Sequence, residues 1–291
     1  LAATPRGLAS LDDGDYAATK FTFPGAWNDV RDVAYDNGEV LITSRPGLIS
    51  VPGDGGEPRI FDPRTWPIYK PGIEGLCGAK YGAEYFAGTS HGILQLDEEF
   101  GLRRLYAKFP RYEGEPVRAL LPSGPLMLCA SQGGGLAYIN PDSGHFAVKK
   151  AGEGISADVL FSLAADDEHI YVGTYDKGVD VLDKDLNFER NVTWGDGLSH
   201  TDIWAVAADP PWLWLAIRGV GINALHLETG EVRRYYARYG LGDEYCKAIA
   251  VLPPREGRKR LAFGTASGIA VLEYDGDPPD YTEGDYDANY P

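Results

Sequence analysis

Asp29, Glu74, Glu115, Asp158, Asp202 and Glu244 each stand one or two residues before an apolar run, and the runs return about every 43 residues. Carboxylates brought to one place by such a repeat offer hard oxygen ligands for Ca²⁺ or another divalent cation, or a negative funnel for a cationic ligand. The same acids also suit turns, where they accept hydrogen bonds from nearby amides. Their one-residue shift between repeats matters, because it reverses side-chain direction along a strand. A second set follows each repeat's middle strand: Arg45, His91, Gln132, Asp176, Lys177 and Arg218. Together the two sets make a mixed polar rim suited to a polar group or a protein surface. His91 and His200 belong to different repeats, placed nearly opposite, so the sequence offers no shared histidine metal site or dyad. It contains no Gly-x-Ser-x-Gly, no HExxH and no phosphate loop; its glycine-rich loops lead into strands, and phosphate cradles need a helix N-terminus.

The elements that must carry these residues are short strands. Six apolar segments open the repeats, "VRDVAYD" from Val30, "GLCGAKY" from Gly75, "VRALLPS" from Val117, "LFSLAAD" from Leu160, "IWAVAAD" from Ile203 and "CKAIAVL" from Cys246. A turn, a second strand and a small-residue loop such as "GTSHGI", "GTYDKGV" or "GTASGI" come next. A third strand and a more polar fourth, as in "RRLYAKF" and "VRRYYARY", complete the unit. Four strands per period without a 3.6-residue signature predict an all-β fold, a β-propeller of four-stranded blades. One blade exposes two apolar faces, so wedges must stack around an axis.

The wording "GDGLSHTDIWAVAADPPWLWLAIRGVGINALHLETGEVRRYY" resembles the two-component-regulator type of propeller repeat, WD40-like in plan. "GEGISADVLFSLAADDEHIYVGTYDKGVDVLD" is similar to it as well. The resemblance covers residues 152–236 most clearly, and it implies a sensing or docking domain rather than a reaction.

Counting opening strands gives six blades, with seven as the alternative. The simplest closure pairs "YAATKFTF", from Tyr16, with the last three strands, a clasp that removes open sheet edges. Residues 1–274 then form one domain, and 275–291 an acidic, tyrosine-bearing tail on the surface. In the closed ring the rim lies on the top face, at the mouth of the channel, where ligands favour propellers. The expected function is a non-catalytic binding or docking module that uses this face. The alternative is a propeller enzyme of lactonase or lyase type, with a divalent cation held by part of the acid set. A protein partner or cationic ligand fits the net charge of −16, whereas nucleic acid does not. No apolar run is long enough to span a bilayer and no intact signal peptide is visible, so a soluble protein without membrane insertion is expected; its compartment stays open, with the cytoplasm favoured. Cys77, Cys129 and Cys246 read as buried core residues. Trp66, Trp194, Trp204, Trp212 and Trp214 fall at strand positions and read as core and inter-blade packing.

Overall fold

The computed structural model of the chain describes residues 2–4, 7–11, 18–21, 29–36, 38–52, 57–62, 73–109 and 111–281. Six of its sheets are β-propeller blades, and each opens at the residue where the apolar run begins. Naming strands A to D within a blade, the A strands are Val30–Asp36, Gly75–Tyr81, Val117–Ser123, Leu160–Ala165, Ile203–Asp209 and Cys246–Arg255. Five blades are antiparallel in the order A-B-C-D, and the sixth has A, B and C among the described residues.

A three-stranded sheet, Ala2–Thr4, Gly7–Leu11 and Ala18–Phe21, precedes them. Its first strand lies beside the A strand of blade 1 as strand B of blade 1 lies beside the A strand of blade 2. The expected terminal strand is therefore present at Ala18–Phe21, but its ladder is with Gly7–Leu11. Strand C of blade 6, Gly268–Tyr274, is bonded to Arg258–Thr265. The expected pairing of the two termini is not among the ladders of the described residues. Trp66 lies outside those residues.

The chain divides into two compact units, residues 1–148 and 149–291. In the first, Cys77, Phe86, Tyr106, Tyr112, Met127 and Cys129 fill the space between blades 2 and 3, while Leu41, Leu48, Tyr85 and Leu96 fill that between blades 1 and 2. In the second, Tyr171, Ile203, Leu213 and Leu215 join blades 4 and 5, and Trp214, Tyr235, Phe263 and Tyr274 join blades 5 and 6. Cys77, Cys129 and Cys246 are buried and unbridged, as expected. Close blade contact explains the recurring Gly-Thr of strand B. Gly88 faces Cys77 across the ladder, and a Cβ on it would stand 2.4 Å from Cys77 Sγ and 2.8 Å from Val117 Cγ1. The threonine beside it has a separate task, since Thr89, Thr174 and Thr265 donate their hydroxyls at 2.8–2.9 Å to the carbonyl of a glycine at or just before the start of strand C.

The described part of the acidic tail, residues 275–281, packs back on the blades. After strand C of blade 6 it turns back, Arg233 pairs with Asp277 at 3.0 Å, and Tyr235 Oη donates to the Pro279 carbonyl at 2.7 Å. Tyr281 then stacks on Tyr239 with 4.8 Å between ring centroids. Two prolines stiffen the segment, which lowers the entropy cost of docking it.

Candidate functional site

One arrangement recurs at the end of every blade where strand A starts and the B–C loop turns. The first loop amide, that of Arg45, Ser90, Gln132, Tyr175, Arg218 or Ala266, donates to the carbonyl just before strand A. Those carbonyls belong to Asp29, Glu74, Pro116, Val159, Asp202 and Tyr245, at 2.8–3.1 Å. Immediately afterwards the ladder slips by one residue in all six A strands. A bulge of this kind leaves one residue out of the pairing and re-aims its side chain. The residues so released are Arg31, Leu76, Arg118, Phe161, Trp204 and Lys247.

The acids flank these bulges, and three of the six face an arginine close by. In unit 1, Arg31 donates to Asp29 at 2.8 Å, and Arg45 Nε donates to Glu74 Oε1 at 2.7 Å. Glu115 accepts the Glu113 amide at 3.1 Å. In unit 2, Asp158 accepts the Ala151 amide at 2.8 Å, and Asp202 faces Arg218 at 3.5 Å. Glu244 is exposed. His91 Nδ1 sits 2.8 Å from Ser90 Oγ, and His200 Nδ1 accepts the Asp202 amide at 3.1 Å. Among the described residues no three His, Cys, Asp or Glu side chains gather as a metal ion would require. Because the Arg45–Glu74 pair is exposed and spans two loops, Arg45→Ala is expected to leave the urea midpoint unchanged. A midpoint lowered as far as by a core truncation would show that these loops carry the fold.

Two carboxylates behind this end, half-buried Asp32 and buried Asp180, were not singled out by the sequence. Asp32, next after the bulge of blade 1, accepts the Gly78 and Val33 amides at 3.1 and 2.9 Å, and burial pushes its pKa up. Asp180 of blade 4 accepts the Ser156 amide and hydroxyl at 2.8 and 3.0 Å; its pKa too is raised by burial. Asn223 repeats that contact in blade 5, accepting the Ser199 amide at 2.8 Å. The Gly-Ile-Ser and Gly-Leu-Ser turns are thus held by a buried side chain on strand C. That partner lies 24 residues on, too far to read as a motif.

The tryptophans divide differently from expectation. Trp212 and Trp214 are fully buried, but Trp204 is only half-buried and Trp194 is 76% exposed. Trp204 occupies a bulge and so leaves the blade interior. Trp194 begins a 3-10 turn capped reciprocally by Thr193 and Asp196, on the connection from blade 4 to blade 5. Tyr175, Tyr245, Arg218 and Lys247 lie on the same end of the unit 2 blades, all exposed. Arg218 and Lys247 both sit on the Trp204 ring, 5.5 and 5.3 Å from its centroid. Asp202 beside them is 5% exposed, and burial raises its pKa. Trp, Tyr and Arg are the residues enriched where binding energy concentrates.

No protein-family profile and no curated protein matches the chain. Its fold is shared with solved structures. The extracellular domain of a putative hybrid two-component system from B. thetaiotaomicron matches with a TM-score of 0.66 at 17% identity, over 84% of this chain and 34% of that one. The extracellular domain of a putative one-component system from the same organism gives 0.61 at 19% identity, over 86% and 32%. The chain thus spans about a third of the length of these two proteins. A chain in a structure of the mitotic checkpoint complex gives 0.66 at 14% identity, over 84% and 74%. At such identities the likeness is one of fold, and it extends over most of the chain.

Proposed function

We propose that the protein is a non-catalytic binding module of the two-component-regulator propeller type, and that it recognises its partner with the B–C ends of its blades. The observation that carries this reading is the repeated latch and bulge. One backbone arrangement presents Arg, Leu, Phe, Trp or Lys at equivalent positions, so the scaffold is constant while the chemistry shown to solvent varies. Catalytic sites instead converge a nucleophile, a base and an orienting group. Five of the six carboxylates, Asp29, Glu74, Glu115, Asp158 and Asp202, are engaged by arginines or amides, which supports a recognition surface over the lactonase or lyase alternative. Two structures that share this fold are extracellular domains of a putative hybrid two-component and a putative one-component system, which supports a sensing role.

Photo-crosslinking tests the proposal. A benzophenone side chain is placed at Gln132 or Tyr175, on B–C loops, and separately at Asp142 or Lys184, on the opposite turns; all four positions are exposed. In an extract of the source cells a discrete adduct is expected from the first pair alone. Adducts from the second pair alone, or equally from both, would move the recognition surface elsewhere.

A further inference from the structure

Trp204 is the bulge residue on whose ring two cationic side chains rest, and it has an incompletely satisfied acid behind it. The guanidinium of Arg218 and the ammonium of Lys247 lie within 5.5 Å of the ring centroid. Asp202, two residues before Trp204, is 5% exposed; its Oδ2 has only a 3.5 Å contact with Arg218, and its Oδ1 has no hydrogen-bond partner among the described groups. Aromatic walls stand on either side. Tyr175 meets Phe161 edge-on at 5.9 Å, and the Tyr245 ring covers Gly219, where a Cβ would lie 3.4 Å from it.

From this geometry we infer that the Trp204 bulge is a subsite for a single carboxylate borne on a flat apolar body that also carries a hydrogen-bond donor. The inference rests on the reading of the B–C ends as recognition surfaces. Three features set the chemistry. Lys247 has no carboxylate partner among the described residues, whereas Arg31 has Asp29 and Arg118 donates to Gln132 at 2.9 Å. An ammonium held only by a ring face is free to take an anion without breaking an ion pair. Arg218, Lys247 and Asp202 sum to one positive charge, so a monoanion balances the site, while a dianionic phosphate would be repelled by Asp202. A buried oxygen without a donor accounts for the third requirement, a hydroxyl or N–H on the ligand. The chain's net charge of −16 does not forbid this, because salt screens exposed charges beyond about 8 Å at physiological strength.

The test reads Trp204 directly. In ¹⁵N-labelled protein the indole N–H signals are followed, with the Trp204 signal identified by its loss in Trp204→Phe. Three probes are titrated: hippurate, which carries a carboxylate, an amide N–H and a phenyl ring; hippuramide, its neutral counterpart; and the blocked peptide Phe-Glu-Phe. Saturable movement of the Trp204 signal by hippurate or by the peptide is expected, with binding about tenfold weaker for hippuramide. Lys247→Gln should weaken it by about the same factor and Lys247→Arg should retain it. Movement by hippurate alone identifies a free small molecule as the source of the carboxylate, and movement by the peptide alone an acidic side chain of a protein. A Trp204 signal unmoved by either carboxylate, or moved equally by hippuramide, overturns the inference. Adducts confined to Gln132 and Tyr175 would in that case leave the recognition surface standing without its carboxylate.

Discussion

Replacing Trp214 by Ala is expected to cost about 3–5 kcal/mol of stability, read as a lowered urea midpoint with an unchanged slope. Trp214 is fully buried in strand B of blade 5, and its ring meets Tyr235 at 5.5 Å and both Phe263 and Tyr274 at 5.9 Å. The two tyrosine rings cannot swing into the space, because each is fixed from its other side. Tyr274 donates to Asp209 at 2.7 Å, and Tyr235 is held by the tail carbonyl of Pro279. The cavity therefore stays open and the loss approaches its full value. Trp214→Phe, which keeps a ring, should cost distinctly less. A loss below about 1 kcal/mol for the alanine variant would show that blades 5 and 6 do not depend on this contact.

The second large effect is electrostatic and sits in unit 1. Glu39, at the start of strand B of blade 1, is nearly buried and gathers Lys80, Arg59 at 3.0 Å, Tyr85 at 2.7 Å and Ser50 around one carboxylate. Burial alone would raise its pKa, but the hydrogen bonds from Lys80, Ser50 and Tyr85 outweigh it and bring the value from 4.5 to about 2. A folded-state value below the unfolded one means that the ionised group stabilises the fold. The contribution is fully present above pH 4.5 and is lost as pH falls through about 2. Glu39→Gln is expected to cost about 3 kcal/mol at pH 7, leaving Lys80 and Arg59 without their counter-charge. The gap between variant and wild type should close between pH 4.5 and 2. A gap independent of pH would assign the loss to packing and not to charge.

The starts of the six A strands were legible in the sequence to the residue, from Val30 to Cys246, because each pairs an apolar run with a turn and recurs at a steady spacing. The small-residue loops were legible too, and the ladders now give them a cause in the close approach of Gly88 and the hydroxyl of Thr89. Less could be read where three-dimensional contacts decide the outcome. "VRRYYARY" continues as a strand by composition, yet strand D stops at Tyr235 and Ala237–Tyr239 form a 3-10 turn ended by Gly240 in the left-handed region. The acids were found at the right end of the blades but not their partners, since Arg45 lies 29 residues from Glu74. Trp204 was assigned to the core because its neighbours alternate as a strand should. The slip between Ile203 and Ala205 turns that alternation by one residue, and nothing in residue type announces it.

That slip has a consequence for the displayed residue. A residue inside a ladder is constrained twice, by its own packing and by the register it maintains for the others. The bulged residue escapes the second constraint, because the latch on one side and the resumed ladder on the other hold the register without it. Blades of one chain already accept arginine, leucine, phenylalanine, tryptophan and lysine there, which is a natural record of tolerance. A single substitution at any of these six positions is therefore expected to change the side chain displayed there while the register of the blade holds.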